Sequence, residues 1–473
     1  MYAQARMLAS PAGNRRGFWT KAALAVGIAL YVLVVAKSVA GASGPSGFHL
    51  PKFGLALAVA PIALFALLRA PIIFPFGLFL ALMPFDPLLS VTSGATLLRV
   101  LGILTVVALV TRMLLTRHML RLRPAWYVWL SFIAWCGLTM FWSLDFDHGR
   151  LIYGILAQNF GLMTVLAMYP ITRRDFKTIV AIMVGAGVAS VAYAVIANGG
   201  LGGGSSRLSI VGGNGNVVDQ NFFATSFIVP LAFAFSVSVV TKRLWLRVVC
   251  WAATAALMLG VIVSGSRGAF IALGLMFAYF AVRSRSLTQV GLMVAGFVAL
   301  LFRYPLVWER FLHDDGGGTG SGRTLIWQVG LQALRGHWLF GSGIGTFQEI
   351  YARVYLLAYQ RSGQGWTRPA HNVLVGMSVE LGIIGLGLLL AAWFMSFRSL
   401  RVIPRSSQNF GFRMAAEAAI VGLAVQSMFI DPMWLKFVWL GLSLPFLILN
   451  LERPERAFAR RLVRPGFVPA RSA

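Results

Sequence analysis

Apolar runs of about membrane-spanning length recur along this chain, and no other feature restricts its fold as strongly. They cover residues 20–40, 53–68, 72–89, 97–115, 125–142, 151–170, 179–197, 222–240, 246–263, 269–282, 287–301, 373–395, 414–430 and 434–449. Inside hydrocarbon every backbone N–H and C=O must be satisfied by the chain itself, which leaves helices as the structure for isolated runs of this length. An all-α polytopic integral membrane protein is the expected fold. Several runs fall short of the roughly 20 residues that a crossing helix needs, so two or so are re-entrant or merged and the span count is put at 12 to 14. The composition agrees: 58% of residues are hydrophobic and 12% charged, with a mean hydropathy of +0.78, outside the range of soluble domains.

The formal net charge of +27 raises nucleic acid, an anionic membrane surface and an anionic substrate as partners, and its placement decides among them. Basic segments at 111–123, 171–177, 241–247, 283–285, 398–413 and 453–471 fall on alternate sides of successive spans. That is the pattern of topology and lipid contact, not of a nucleic-acid groove, and it places those segments and both termini in the cytoplasm. Cys136 and Cys250 lie inside apolar runs, so no disulfide framework or thiolate metal site is indicated. The chain is read as one membrane domain, 1–473, ending in a basic cytoplasmic tail at 451–473.

On the external side the chain keeps one long polar interval, 303–370, with seven arginines: Arg303, Arg310, Arg323, Arg335, Arg353, Arg361 and Arg368. External arginines are uncommon under the positive-inside rule, so chemistry is expected here. Two amphipathic stretches, 324–334 and 346–359, predict short helices on the outer surface, joined to the preceding span through the glycine-rich 314–322. A second glycine-rich external loop, 199–215, lacks the pattern of a phosphate-binding loop.

Arg267 stands in a Ser264-Gly265-Ser266-Arg267-Gly268 turn between two spans, where small neighbours leave its guanidinium open to a ligand; the alternative is a snorkelling interfacial cation. Arg323 opens a helix, so its side chain and the helix amides can meet one anion. Two or three converging guanidinium groups suit a diphosphate without a metal. Arg207 is a third candidate, with a solvated loop charge as its alternative. His371, beside Asn372 at the mouth of the 373–395 span, has an ordinary pKa near neutrality and suits proton abstraction from a hydroxyl, with Asn372 orienting it; the alternatives are a hydrogen-bonded boundary residue and a hydrogen-bond partner of the substrate. Glu380, nine residues on, is expected to face away from His371 and to contact a neighbouring span. Asp145 and Asp147 have the spacing of a metal-binding pair, but are read as turn residues, with no metal site and no cofactor.

Four pieces in this order, Ser264-Gly265-Ser266-Arg267-Gly268, Gly322-Arg323 with Trp327, the 340–347 stretch FGSGIGTF, and Ala370-His371-Asn372 with Glu380-Leu381-Gly382, resemble the O-antigen ligase and polymerase family. The resemblance covers about 214–385 and implies a GT-C-like glycosyltransferase architecture. It implies an enzyme at the periplasmic face of the bacterial inner membrane that moves a glycan from undecaprenyl diphosphate to the lipid A core. His371 would be the general base; Arg267 and Arg323, with Arg207, would stabilise the leaving diphosphate, and Asn372 and Trp327 would contribute to substrate binding. Arg353 and Arg361 would suit phosphates of the acceptor or of inner-membrane lipids. The family also contains polymerases and protein oligosaccharyltransferases. The polymerase pattern of an arginine with a glycine eleven residues later is missing from the long loop and from Arg207, which favours ligase. A lipid or solute transporter is the competing class; its paired interrupted spans and midplane site do not match polar candidates gathered at one face.

Overall fold

The computed structural model describes residues 70–92, 95–200, 207–210, 218–284, 287–303, 323–359 and 368–462. The apolar runs at 20–40 and 53–68, the glycine joint at 314–322, most of the 199–215 loop and Arg361 lie outside these residues. The chain divides into two units at Phe74. Of the first, only the turn at 70–74 is described; every described helix belongs to the second.

The described residues are almost entirely helical. After α1 (Phe76–Leu82), a 3-10 turn (Met83–Leu89) and a two-strand ladder pairing Ser90 with Thr96 come α2 (Leu97–Thr116), α3 (Pro124–Thr139), α4 (Phe146–Met168) and α5 (Arg173–Ala197). Then follow α6 (Gln220–Ser226), α7 (Ile228–Val240), α8 (Leu244–Val263), α9 (Arg267–Arg283) and α10 (Leu287–Arg303). Helices α11 (Arg323–His337) and α12 (Phe347–Tyr359), in the polar interval, precede α13 (Val373–Ser399), α14 (Phe410–Gln426) and α15 (Lys436–Leu462). The last helix thus runs well into the stretch read as a tail.

Among the described residues seven helical segments are long and apolar enough to cross a membrane: Leu97–Thr116, Pro124–Trp142, Phe146–Met168, Arg173–Ala197, Gln220–Val240, Leu244–Val263 and Val373–Val402. Their outward faces are apolar too. On α2, Val100, Ile103, Val107 and Leu114 are exposed along one helical stripe while Leu98, Leu101, Ala108 and Leu109 are buried, the distribution of a helix whose solvent is itself hydrocarbon. Helix starts are set by polar caps: Thr172 and Asp175 form a reciprocal capping box on α5, and Asp219, Ser266 and Asn372 cap α6, α9 and α13.

The most enclosed helix is α7, whose residues Ile228 to Ser236 are all buried. Helix α14 packs on it and on α9 through a face of small residues, Ala415, Ala416, Ala418, Ala419 and Gly422. A Cβ at Gly422 would lie 2.8 Å from the Ile228 side chain, so this approach requires a residue without one. The buried Glu417 on the same helix is compensated by Arg413 Nε at 2.9 Å and Arg283 Nη2 at 3.6 Å, as an ionised group inside a bundle must be.

Candidate functional site

The polar interval docks on the bundle through a break in α13. At Gly382 the backbone turns to φ 68, ψ −175, a conformation essentially reserved for glycine, and the freed groups on either side are taken up by residues 338–347. Ile383 N–H donates to Trp338 O at 2.9 Å, and Ser342 N–H and Gly343 N–H donate to Val379 O and Glu380 O, each at 2.9 Å. Gly341, at φ +77, lies so close that a Cβ there would be 2.2 Å from Glu380 O. Tryptophans brace the junction: Trp135 Nε1 donates to Leu381 O and Trp142 Nε1 to Gly341 O.

Glu380 sits at this junction, and its carboxylate reaches across to the inserted loop: Oε2 accepts Gly345 N–H at 2.9 Å and Oε1 accepts Phe347 N–H at 3.2 Å. It therefore ties the loop, not a neighbouring span, to α13. Nor does it face away from the histidine. His371 and Glu380 line one cavity of about 420 Å³, together with Asp219, Asp431, His148 and Trp434. Helical-wheel arithmetic fails because His371 is not on the helix; it precedes the cap residue in a left-handed turn, φ 48.

That turn is held from below. Asp431 Oδ2 accepts His371 N–H at 2.9 Å, and Asn372 N–H also donates to this carboxylate. Asn372 is committed to the helix: its Oδ1 accepts Leu374 N–H at 2.8 Å and Val375 N–H at 3.3 Å. Trp327 Nε1 donates to Ala370 O at 3.1 Å, so this tryptophan pins the segment carrying His371. The imidazole is left with Nδ1 buried and without a hydrogen-bond partner among the described residues.

Burial, and after it the positive charge of Arg323, lowers the His371 pKa from its ordinary 6.5; Asp219 opposes the shift and Arg368 adds to it. Both effects favour the neutral ring, the form that can accept a proton. Burial pushes the Asp431 carboxyl up to about 6 against the two backbone donors and Arg323, which favour its ionised form.

Arg207 and Arg267 form a second group. Leu208 N–H donates to Val263 O at 2.9 Å, laying the Arg207 segment against the Ser264–Gly268 turn. Arg207 Nε donates to Ser264 O at 2.8 Å and its Nη2 to Asn221 Oδ1 at 3.3 Å, while Ser266 Oγ donates to the same Asn221 oxygen at 2.9 Å. Arg267 is the first residue of α9. Arg353 is exposed and paired with Glu349 at 2.8 Å. Asp145 caps α4 through His148 N–H, and Asp147 faces Arg150 at 3.7 Å on the surface. Among the described residues no group of three His, Cys, Asp or Glu side chains has the arrangement of a metal site.

Sequence reasoning did not find the segment joining both groups. Residues 426–431 receive the Arg267 turn, since a Cβ on Gly268 would meet Phe429 at 2.6 Å, and they receive the His371 turn through Val373 N–H to Ser427 O at 2.8 Å and through Asp431. Gln426 Nε2 donates to Thr225 Oγ1 at 2.9 Å, linking α6 to the same place. The only signal was a lone acidic residue in a short turn at Asp431-Pro432.

These features define a class: a helical membrane protein in which a histidine and the carboxylates of Asp219, Glu380 and Asp431 line one cavity. Residues 252–390 match the family model described as O-Antigen ligase. The match includes Arg267, Arg323, Trp327, His371, Asn372 and Glu380; Arg207, Asp219 and Asp431 lie beyond it. No curated protein matches the chain.

Proposed function

We propose that this protein is an O-antigen ligase, transferring a glycan from undecaprenyl diphosphate to the lipid A core oligosaccharide at the periplasmic face of the bacterial inner membrane. Both termini are cytoplasmic in this reading, and the runs at 20–40 and 53–68 add to the seven described spans toward a total of 12 to 14. The acceptor hydroxyl gives its proton to the neutral imidazole of His371 as its oxygen attacks the anomeric carbon. The glycosidic bond forms, the bond from that carbon to the diphosphate oxygen breaks, and the diphosphate leaves as an anion. One displacement inverts the anomeric configuration.

Arg323 lies close enough to His371 and Asp431 to act on both, and with Arg267 and Arg207 it would stabilise the charge that develops on the leaving group. Arg353 and Arg361 would contact acceptor or lipid phosphates. The observation that carries the reading is a histidine, inside the segment that matches the family, that opens into a cavity of about 420 Å³ and whose pKa burial and a neighbouring arginine lower. The test is incubation of purified protein with undecaprenyl-diphosphate-linked glycan and rough lipopolysaccharide, with EDTA present. A ligase extends the lipopolysaccharide; a longer lipid-linked glycan with bare acceptor identifies a polymerase, and no new glycosidic bond removes the enzymatic reading.

A further inference from the structure

The cavity at His371 adjoins a second one of about 450 Å³. Ile155, Asp219, Phe222 and Trp434 line both, so these residues form a neck between the two. Phe222 and Trp434 meet edge to face with centroids 4.9 Å apart, and Trp434 is 39% exposed. Asp219 Oδ1 is used in capping α6, accepting Asn221 N–H at 2.7 Å and Phe222 N–H at 3.3 Å. Its Oδ2 has no hydrogen-bond partner among the described residues. Beyond the neck, the second cavity carries the Asp86–Lys436 ion pair and the amides of Gln158 and Asn159. Asn159 Nδ2 is buried without a hydrogen-bond partner among the described residues.

A sugar ring has an apolar C–H face and a rim of hydroxyls that both donate and accept. An exposed indole beside a carboxylate oxygen suits that combination, and an unsatisfied amide donor nearby suits a further hydroxyl. Charge separates the two substrates: the Asp219 carboxylate at the neck repels a diphosphate, which arginines attract. Both volumes lie in the roughly 300–1,000 Å³ range of sites for small ligands.

We propose that Asp219 and Trp434 form the subsite for the acceptor's terminal sugar, presenting its hydroxyl to His371 while the rest of the acceptor glycan occupies the second cavity. This rests on the ligase reading above. Trp434 packs on the ring, Asp219 Oδ2 accepts from one hydroxyl, and Asn159 Nδ2 donates to the portion beyond the neck.

The test uses the full chain with each substrate varied in turn, comparing Asp219→Asn, Trp434→Ala and Trp434→Phe with the unaltered protein. Asparagine caps a helix as well as aspartate, so Asp219→Asn keeps α6 intact while removing the charged acceptor. Asp219→Asn and Trp434→Ala are expected to raise KM for rough lipopolysaccharide about ten-fold with KM for the lipid-linked donor unchanged, and Trp434→Phe to restore most of the loss. A rise in donor KM, or a fall in kcat with both KM values unchanged, overturns the assignment. Should the unaltered protein form no product, the ligase reading itself fails. Binding of rough lipopolysaccharide without donor then decides the subsite: weakening in Asp219→Asn supports it, and equal affinity overturns it.

Discussion

Replacing Asp431 with alanine is expected to disable the site without touching the base. The Asp431 carboxylate accepts the backbone N–H groups of His371 and Asn372 and holds His371 at φ 48, a conformation a non-glycine residue keeps only when its surroundings enforce it. Truncation leaves two inward-facing donors unpaired. At about 1–3 kcal/mol for each buried donor left unsatisfied, the sum is about 2–6 kcal/mol, enough for the turn to relax instead of remaining strained. A shift of about 1 Å in a reacting group costs on the order of 100-fold in rate, so Asp431→Ala is expected to lose transfer by about that factor. Asp431→Asn keeps an acceptor oxygen and should fall between the two. Initial rates of glycan transfer at saturating donor, with melting of the solubilised protein followed in parallel, measure both consequences. Full activity and unchanged melting in Asp431→Ala would refute the view that this carboxylate holds the histidine.

Other outcomes rest on the same geometry. A Cβ on Gly382 would stand 2.1 Å from Leu339 O at φ +68, so Gly382→Ala should cost at least about 1–3 kcal/mol of backbone strain, lower the melting temperature by several degrees and undock residues 338–347, abolishing transfer. Since Arg323 helps to lower the His371 pKa, the acidic limb of the pH–rate profile should lie below pH 6.5, and Arg323→Gln should move it upward toward that value; a limb that stays put contradicts the coupling. The Asp431 value, about 6 when folded against an ordinary 3.8, means that the folded chain binds a proton there more readily than the unfolded one. Its contribution to stability is therefore fully present below pH 3.8 and lost as pH rises through 6. Asp431→Asn should remove that slope, seen as a difference between the two proteins' melting temperatures across pH 4 to 7.

Seven of the expected spans were legible because hydrocarbon leaves the backbone one solution, among them the run at 97–115, which became Leu97–Thr116, and that at 125–142, which became Pro124–Trp142. The outer helices expected at 324–334 and 346–359 formed at Arg323–His337 and Phe347–Tyr359, since their apolar stripes repeat at helical spacing. Where α4 and α5 start several residues before their apolar runs, the reason is a polar cap at Asp145 or Thr172, which hydropathy ignores. What was illegible is long-range. Nothing local says that Glu380 bonds the amides of Gly345 and Phe347, because that contact exists only once Gly382 breaks α13. Asp431 reads as a turn residue and Asp219 was not singled out; only the approach of α6, α13 and the 426–431 segment brings both to the cavity of His371. Arg207 was readable as a cation but not as a neighbour of the Arg267 turn.

Transfer by His371→Ala, with donor binding determined on the same preparation, tests whether His371 is the base. General-base catalysis contributes roughly 100- to 10,000-fold. A loss in that range is expected with donor affinity unchanged, with partial recovery when imidazole is supplied in solution. Transfer near the rate of the unaltered protein, or a loss explained entirely by weaker donor binding, would contradict it.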